Sequence, residues 1–199
     1  TTPTLCLGQT LCPVLVHSMP STVNKIIDPN ILAYFGTLLD RGFFAEIVKL
    51  PELENVIGHE FKVKQVNHSK SETNVVRGLH AEGWNKLVTV TSGEIFSAIV
   101  DVRPDSPTYK QKVYFKLGAD HQPQKSNGLY ISQGLANSIC VLKGPASYIY
   151  LVDRLYQNRD KKGDQAISIF DEQLAIDWPV KQNQMILSKR DKNAVKLED

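Results

Sequence analysis

Lys86-Leu87-Val88-Thr89-Val90-Thr91-Ser92-Gly93-Glu94-Ile95-Phe96-Ser97-Ala98-Ile99-Val100-Asp101-Val102-Arg103 decides the fold class of this 199-residue chain. It holds two β-rich segments, Lys86 to Ser92 and Ile95 to Val102, with the turn signal Ser92-Gly93 between them. In the second, Ile95, Phe96, Ala98, Ile99, Val100 and Val102 form a nearly continuous apolar run, the signature of a strand buried on both faces. That strand is expected to lie centrally in its sheet.

Working outward, the same texture continues on both sides. Further strands are expected over Lys62 to His68, Lys112 to Leu117, Gly128 to Ile131, Ser138 to Leu142 and Tyr148 to Tyr156. Pro104-Asp105-Ser106-Pro107 and Lys143-Gly144-Pro145 punctuate them as turns. These intervals leave no room for βαβ crossovers, so a mainly β jelly roll is the expected architecture. Short helices are expected on the barrel after Tyr156, including Glu172 to Ile176, with the charged loop Asn158 to Gly163 before them. The first forty residues carry Pro3, Pro13, Pro20 and Pro29 and read as largely loop, with a short helix over Pro29 to Leu39 capped by Asp28. The expected organisation is an N-terminal extension, 1–38, followed by one domain, 39–199.

The 23 basic and 21 acidic residues are spread along the chain and give a formal charge of +2, so no global field favours a nucleic acid. No apolar run reaches membrane length. Thr1 to Val16 lack the basic start and cleavage pattern of a secretory signal. Cys6, Cys12 and Cys140 are odd in number and lack metal-ligand spacing, which suits a reducing, cytoplasmic setting.

Several groups could carry chemistry. His80, in Val76-Arg77-Gly78-Leu79-His80, precedes the strand that opens near Lys86 and is expected at a strand edge facing a barrel mouth. Histidine's ordinary pKa near neutrality lets it take and return a proton in one turnover, although an isolated histidine more often has a structural role. Lys86 follows six residues later and would share the face of His80 if the strand ran back that far. An ammonium beside a base can stabilise the oxyanion that forms when a proton leaves the carbon next to a ketone. Alone, such a lysine is more often a solubilising charge at a strand edge. Tyr148, Tyr150 and Tyr156 have even spacing and would line one face of a regular strand, as acid, stacking surface or ordinary packing. Arg41 and Glu46 flank an aromatic segment and could clamp a diphosphate, while Gln65 and Asn67 alternate on one strand face and could bond a pyrimidine or ribose. Among His17, His59, His68, His80 and His121 there is no His-x-His pair, and Glu82 is the one acidic neighbour of His80, so no metal is expected.

These fragments occur in an order that resembles the dTDP-4-dehydrorhamnose 3,5-epimerase family, cofactor-free cupins of deoxysugar biosynthesis. The resemblance covers roughly Leu39 to Leu197. It runs through Asp40-Arg41-Gly42-Phe43-Phe44-Ala45-Glu46, Gln65-Val66-Asn67-His68-Ser69-Lys70-Ser71, Val76-Arg77-Gly78-Leu79-His80, Lys86-Leu87-Val88 and Gly93-Glu94-Ile95. It continues with Val100-Asp101-Val102-Arg103-Pro104-Asp105-Ser106-Pro107-Thr108, Leu174-Ala175-Ile176-Asp177-Trp178-Pro179 and Leu187-Ser188-Lys189-Arg190-Asp191. It implies that His80 removes a proton next to a 4-keto group and that Asp191 orients His80. It implies further that Tyr150 supplies a proton from the opposite face, that Lys86 stabilises the enolate oxygen and that Tyr156 forms an aromatic wall. Arg41, Glu46, Gln65, Asn67 and Arg77 would hold the nucleotide diphosphate, with Asn137, Asp164 and Arg190 as further substrate contacts.

The implied substrate is a nucleotide-diphosphate sugar, dTDP-linked in the family, with CDP and GDP carriers as alternatives; no cofactor or metal is implied. The implied assembly is a homodimer with exchanged N-terminal strands, so that Arg41 and Glu46 serve the neighbour's site. The chain departs from the family where Ala136-Asn137-Ser138-Ile139 stands for Ala-His-Gly-Phe and where Ala81-Glu82 stands for an aromatic or polar residue followed by Gln. The loop before Asp164 is lengthened by Asp160-Lys161-Lys162-Gly163, and the residues to about Asn30 exceed the family's start. The implied reaction inverts C3, C5 or both through an enolate, and these departures point to a variant substrate or to a restricted outcome such as inversion at C3 alone. A 3,4-ketoisomerase, which would use paired histidines, and a non-catalytic sugar-nucleotide-binding homologue are the competing readings.

Overall fold

The computed structural model describes residues 36–39, 42–118, 128–158 and 164–197. In chain order the elements are β1 Gly36–Leu39, β2 Gly42–Ala45, α1 Leu50–Ile57, β3 Gln65–Ser71, β4 Val75–Ala81, β5 Lys86–Asp101, β6 Lys112–Gly118, β7 Gly128–Ile131, β8 Leu135–Val152, β9 Gln165–Ala166, β10 Ile186–Leu187 and α2 Lys189–Lys192. Short 3₁₀ turns cover Tyr156–Asn158 and Gln182–Gln184. No helix among the described residues is long and apolar enough to cross a membrane.

The two expected strands of the opening stretch are one. β5 runs sixteen residues and pairs antiparallel with β8, which runs eighteen. Ser92-Gly93 is a bend within β5 rather than a turn between strands, and the β5–β8 register shifts between Val90 and Ile95. Gly93 has φ +77°, and a Cβ there would lie 2.5 Å from the Lys143 carbonyl oxygen, so the bend needs glycine for both conformation and space. Likewise Lys143-Gly144-Pro145, expected as a turn, lies inside β8, which merges the expected strands over Ser138 to Leu142 and Tyr148 to Tyr156 and ends at Val152.

The sheet order is β10-β4-β8-β5-β6, with β3 also on β8, β7 on β5 and β9 on β4; all these pairs are antiparallel except β10–β4. β5 and β8 are therefore the central strands, as the apolar run of Ile95 to Val102 requires. Val88, Val90, Ile99, Leu129, Ile131, Leu135, Ile139, Val141 and Tyr148 form one buried cluster drawn from both halves of the long strands, which places it between the folded-over halves of the sheet. A second cluster packs Val76, Leu79, Val100 and Cys140 under the C-terminal segment through Ile167, Ile169 and Leu174. A third seals α1 against the sheet through Leu53, Phe61, Leu87 and Tyr130. Burial of each such side chain stabilises the fold by about 1.5–3 kcal/mol.

Other expectations shift. β3 begins and ends three residues later than the expected strand. Helix α1 is additional to the expected elements; Pro51 sits at its start and Gly58, φ +80°, ends it. Gly36–Leu39 pairs with Gly42–Ala45 as a hairpin, not as the end of a helix; the rest of the expected Pro29 to Leu39 helix lies outside the described residues, as do residues 159–163 of the charged loop. Glu172 to Ile176 forms turns instead of a helix, because the Asp171 carboxylate takes the backbone N–H groups of Gln173, at 2.8 Å, and Leu197, at 2.7 Å, and ties that turn to the C-terminal segment.

Candidate active site

His80 stands within a strand, β4, rather than at the edge of the strand that begins at Lys86. The β4–β8 register shifts between Arg77 and His80. The shift explains how Val76 and Leu79, three positions apart, enter the same cluster, and it leaves Arg77 and His80 on the opposite face. Gly78 carries this irregularity: its φ is +121°, and a Cβ would meet the Asn137 carbonyl oxygen at 2.6 Å.

Across the ladder, His80 is paired with Asn137. Its Nε2 lies 2.7 Å from Asp191 Oδ1. A carboxylate can only accept, so Nε2–H donates, and in the neutral ring Nδ1 keeps its lone pair. Asp191 is buried at the start of α2, where Ser188 caps the helix: Asp191 N–H donates to Ser188 Oγ at 3.1 Å, and that hydroxyl donates to Asp191 Oδ2 at 2.8 Å. Burial alone would raise the Asp191 carboxyl, but the hydrogen bonds from His80 and Ser188 and the charges of His80 and Arg190 outweigh it and hold the group below the ordinary carboxylate value.

Lys86 reaches the same place from the other wall. It pairs with Val152 at one end of the β5–β8 ladder, whereas Asn137 pairs with Ile99 near the other. Nevertheless Lys86 Nζ donates to Asn137 Oδ1 at 3.1 Å, a contact across the interior. The same ammonium forms an ion pair with Glu82, four residues earlier, and lies 5.6 Å from the centre of the Tyr150 ring. His80 and Lys86 thus lie on separate strands and meet through Asn137, not along one face. Burial pushes the Tyr150 phenol above its ordinary value; Glu82 and Tyr148 push the same way, and Arg77 pulls back. Tyr150 therefore stays protonated at neutral pH, a group that can donate. The expected row of three tyrosines is only a pair: Tyr148 is buried in the core, Tyr150 follows on β8, and Tyr156 lies beyond the strand in a 3₁₀ turn.

The expected nucleotide contacts divide. Gln65 and Asn67 share a face of β3, with Gln65 Nε2 donating to Asn67 Oδ1 at 2.6 Å and Gln65 Oε1 accepting the Tyr156 N–H at 2.9 Å. Asn67 is paired with Tyr150. Tyr156 is exposed, its ring 6.4 Å from that of Trp84. Arg77 Nε donates to Ser71 Oγ at 3.1 Å, and Arg190 holds the shielded Asp164 carboxylate at 2.8 Å. Glu46 is not part of this cluster: it forms an ion pair with Lys49 at 3.4 Å next to the β1–β2 hairpin. Arg41 lies outside the described residues.

Two site residues were not expected in these roles. Glu82, which the sequence marks only as an acidic neighbour of His80 and a departure from the family pattern, proves to be the ion-pair partner of Lys86; a loop and not a helix joins the two, so their spacing gives no signal. Ser188, quoted within a motif, proves to be the second partner of Asp191. Among the described residues no three His, Cys, Asp or Glu side chains converge as a metal site.

The profile of the dTDP-4-dehydrorhamnose 3,5-epimerase family matches residues 35–199. The chain is 36% identical over 178 residues to dTDP-4-dehydrorhamnose 3,5-epimerase of Shigella flexneri, covering 87% of this chain and 91% of that one. Among solved structures, dTDP-6-deoxy-D-glucose-3,5-epimerase of Legionella pneumophila in complex with dTDP-4-keto-L-rhamnose superposes with a TM-score of 0.73 at 32% identity, covering 83% of this chain and 85% of that one. A 3′-monoepimerase from Streptomyces bikiniensis in complex with dTDP-quinovose also gives 0.73, at 27% identity, covering 82% of this chain and 81% of that one. With a family match that takes in both long strands and everything around His80, Lys86, Tyr150 and Asp191, this chain belongs to the dTDP-4-dehydrorhamnose 3,5-epimerase family of isomerases.

Proposed function

We propose that this nucleotide-sugar epimerase acts on a dTDP-linked 4-keto-6-deoxyhexose and inverts it at C3, with His80 as base and Tyr150 as acid. The observation that carries the reading is the His80–Asp191 hydrogen bond of 2.7 Å, which leaves Nδ1 as the proton acceptor and sets a carboxylate behind the imidazolium that forms. The C3 proton passes to His80, and the charge moves onto the carbonyl oxygen, where an N–H of Lys86 stabilises it. Tyr150, held in its neutral form, returns a proton to the other face, and the configuration is inverted. Asn137 keeps a neutral amide beside Lys86 where the family pattern has a titratable ring, which supports restriction to one carbon.

The nucleotide is assigned to Arg77, Gln65, Asn67 and the exposed Tyr156 ring, with Asp164 and Arg190 closing the sugar end. The β1–β2 hairpin forms its own two-stranded sheet, and β3 pairs on one side only among the described residues. Both features support a homodimer in which the hairpin, with Arg41 and Glu46, completes the neighbour's site. The reading places the protein in the cytoplasm, with its sugar-nucleotide substrate.

The test is incubation in deuterated water with a dTDP-linked 4-keto-6-deoxyhexose, followed by proton NMR. Deuterium at C3 and not at C5 is expected; incorporation at both carbons refutes the restriction. His80→Asn is expected to abolish exchange while nucleotide affinity is retained, and an unchanged rate removes His80 from the mechanism.

A further inference from the structure

Glu82, the ion-pair partner of Lys86, has no task in the proton-transfer scheme and none in holding the nucleotide. The loop that carries it, residues 82–85, is held at both ends. Gly134 N–H donates to the Glu82 carbonyl at 3.0 Å. Asn85 binds the Asp153 carboxylate through its backbone N–H at 3.0 Å and its side-chain amide at 2.7 Å, and accepts the Gln133 N–H at 3.0 Å. The side chain so placed is 17% exposed and directed at Lys86. Its Oε2 takes one Lys86 N–H, Asn137 takes another, and among the described residues neither Glu82 Oε1 nor the third Lys86 N–H has a partner. An acceptor-only oxygen and an N–H donor are thus carried by two side chains in direct contact.

We infer that Glu82 is a specificity-determining residue that accepts a hydrogen bond from a substrate hydroxyl on the carbon next to the carbonyl held by Lys86. The inference rests on the epimerase reading above. A carbonyl oxygen on the third Lys86 N–H lies about 2.9 Å from Nζ, and a hydroxyl on the adjacent carbon is about one further hydrogen-bond length away, within reach of the free carboxylate oxygen. In a 4-keto-6-deoxyhexose only C3 offers such a donor; C5 bears a methyl group and the ring oxygen. Glu82 therefore fixes which side of the carbonyl faces which wall, and it rejects a sugar lacking the 3-hydroxyl, since its desolvated carboxylate would then be left unpaired. The same negative charge offsets that of Lys86, so recognition is obtained at some loss of enolate stabilisation.

The test compares a dTDP-linked 4-keto-6-deoxyhexose with its 3-deoxy counterpart, using calorimetric Kd values and solvent-deuterium exchange for the wild-type chain, Glu82→Gln and Glu82→Ala. The wild type is expected to bind the hydroxylated sugar about tenfold or more tightly than the 3-deoxy sugar. Glu82→Ala is expected to bring that ratio to about threefold or less, with Glu82→Gln in between, because a neutral acceptor bonds the hydroxyl more weakly than a carboxylate. For exchange with the hydroxylated sugar, Glu82→Gln is expected to lower kcat/KM, mainly through a raised KM. Equal ratios in all three proteins overturn the inference and leave Glu82 as a counter-ion of Lys86. Discrimination lost in the variants without any deuterium incorporation by the wild type upholds recognition and refutes epimerisation. Deuterium incorporation with unaltered discrimination does the reverse. Absence of binding by either sugar nucleotide overturns both. Melting curves establish that the variants fold, and Glu82→Gln carries the test if Glu82→Ala does not.

Discussion

His80 and Asp191 are 111 residues apart in the chain and 2.7 Å apart in the fold. The separation is bridged by the C-terminal segment: β10 adds to β4 in parallel, with Ile186 beside Val75 and Leu187 beside Val76, and α2 follows at once. The carboxylate that orients the histidine is thus delivered by a two-residue strand docked on the same strand that carries the histidine. Asp191→Asn keeps the shape but presents an amide that cannot hold the imidazolium. The expected result is a fall in exchange rate of about 10²–10⁴ with substrate affinity nearly unchanged, within the range for general acid–base groups. Ser188→Ala, which removes the second partner of Asp191 and the α2 cap, is expected to cost about 1 kcal/mol of stability and a smaller part of the rate. Single-turnover exchange and thermal melts separate the two effects.

Legibility in the sequence followed the range of the interactions. The β class was legible because burial on both faces leaves an apolar run, as in Ile95 to Val102. Strand ends were not, since Ser92-Gly93 and Lys143-Gly144-Pro145 have the composition of turns, and only cross-strand packing tells a bulge from a turn. His80 was legible as a candidate base, but its partner was reached through the family resemblance alone, because nothing local links Arg77-Gly78-Leu79-His80 with Ser188-Lys189-Arg190-Asp191. The pairing of Lys86 with Asn137 is similarly a product of closure of the sheet, and no period along one strand encodes it.

Tyr150 is expected to act as a donor, and its burial and the neighbouring Glu82 keep it protonated above the ordinary tyrosine range. Tyr150→Phe retains the ring under Lys86 and removes only the hydroxyl. His80 still takes the proton, so exchange at C3 continues in Tyr150→Phe, whereas net inversion falls by about 10²-fold or more. Measuring washout of substrate deuterium against formation of the epimer, in the same tube, distinguishes the two. Equal loss of both assigns Tyr150 to binding instead.

Asp101 is expected to contribute to acid stability. Burial works to raise its carboxyl, but the Arg103 guanidinium and the hydroxyls of Ser106 and Thr108, which donate to it at 2.6 Å each, hold it well below the ordinary carboxylate value. A group depressed in the folded state contributes stability above its unfolded pKa of about 3.9, and that contribution is lost as the pH falls below this value toward the folded one. Wild-type protein is therefore expected to lose melting temperature steeply below about pH 4. Asp101→Asn is expected to be less stable at pH 7 by about 2–4 kcal/mol and to have a flatter acid limb. A parallel pair of Tm-against-pH curves would show that the carboxylate is not the origin of the limb.

Gly78 couples fold and site. It lies two residues before His80, within the irregularity that puts Arg77 and His80 on the face opposite Leu79. In Gly78→Ala the new Cβ would meet the Asn137 carbonyl oxygen at 2.6 Å and the Ser138 Cα at 2.8 Å, and the backbone would keep a φ of +121° that a side chain disfavours. Both contacts are to backbone of the central strand β8, so neither can turn aside as a side-chain tip would. β4 must therefore move away from β8 at the very pair, His80 and Asn137, around which Lys86 and Asp191 converge. A loss of about 2–4 kcal/mol in stability is expected, and the protein that remains folded should lose exchange activity by about tenfold or more, because a displacement of about 1 Å at the base is sufficient. Melting temperature and exchange rate measured well below the transition check the two parts separately. Full activity in the folded fraction would mean that the strand irregularity serves stability alone.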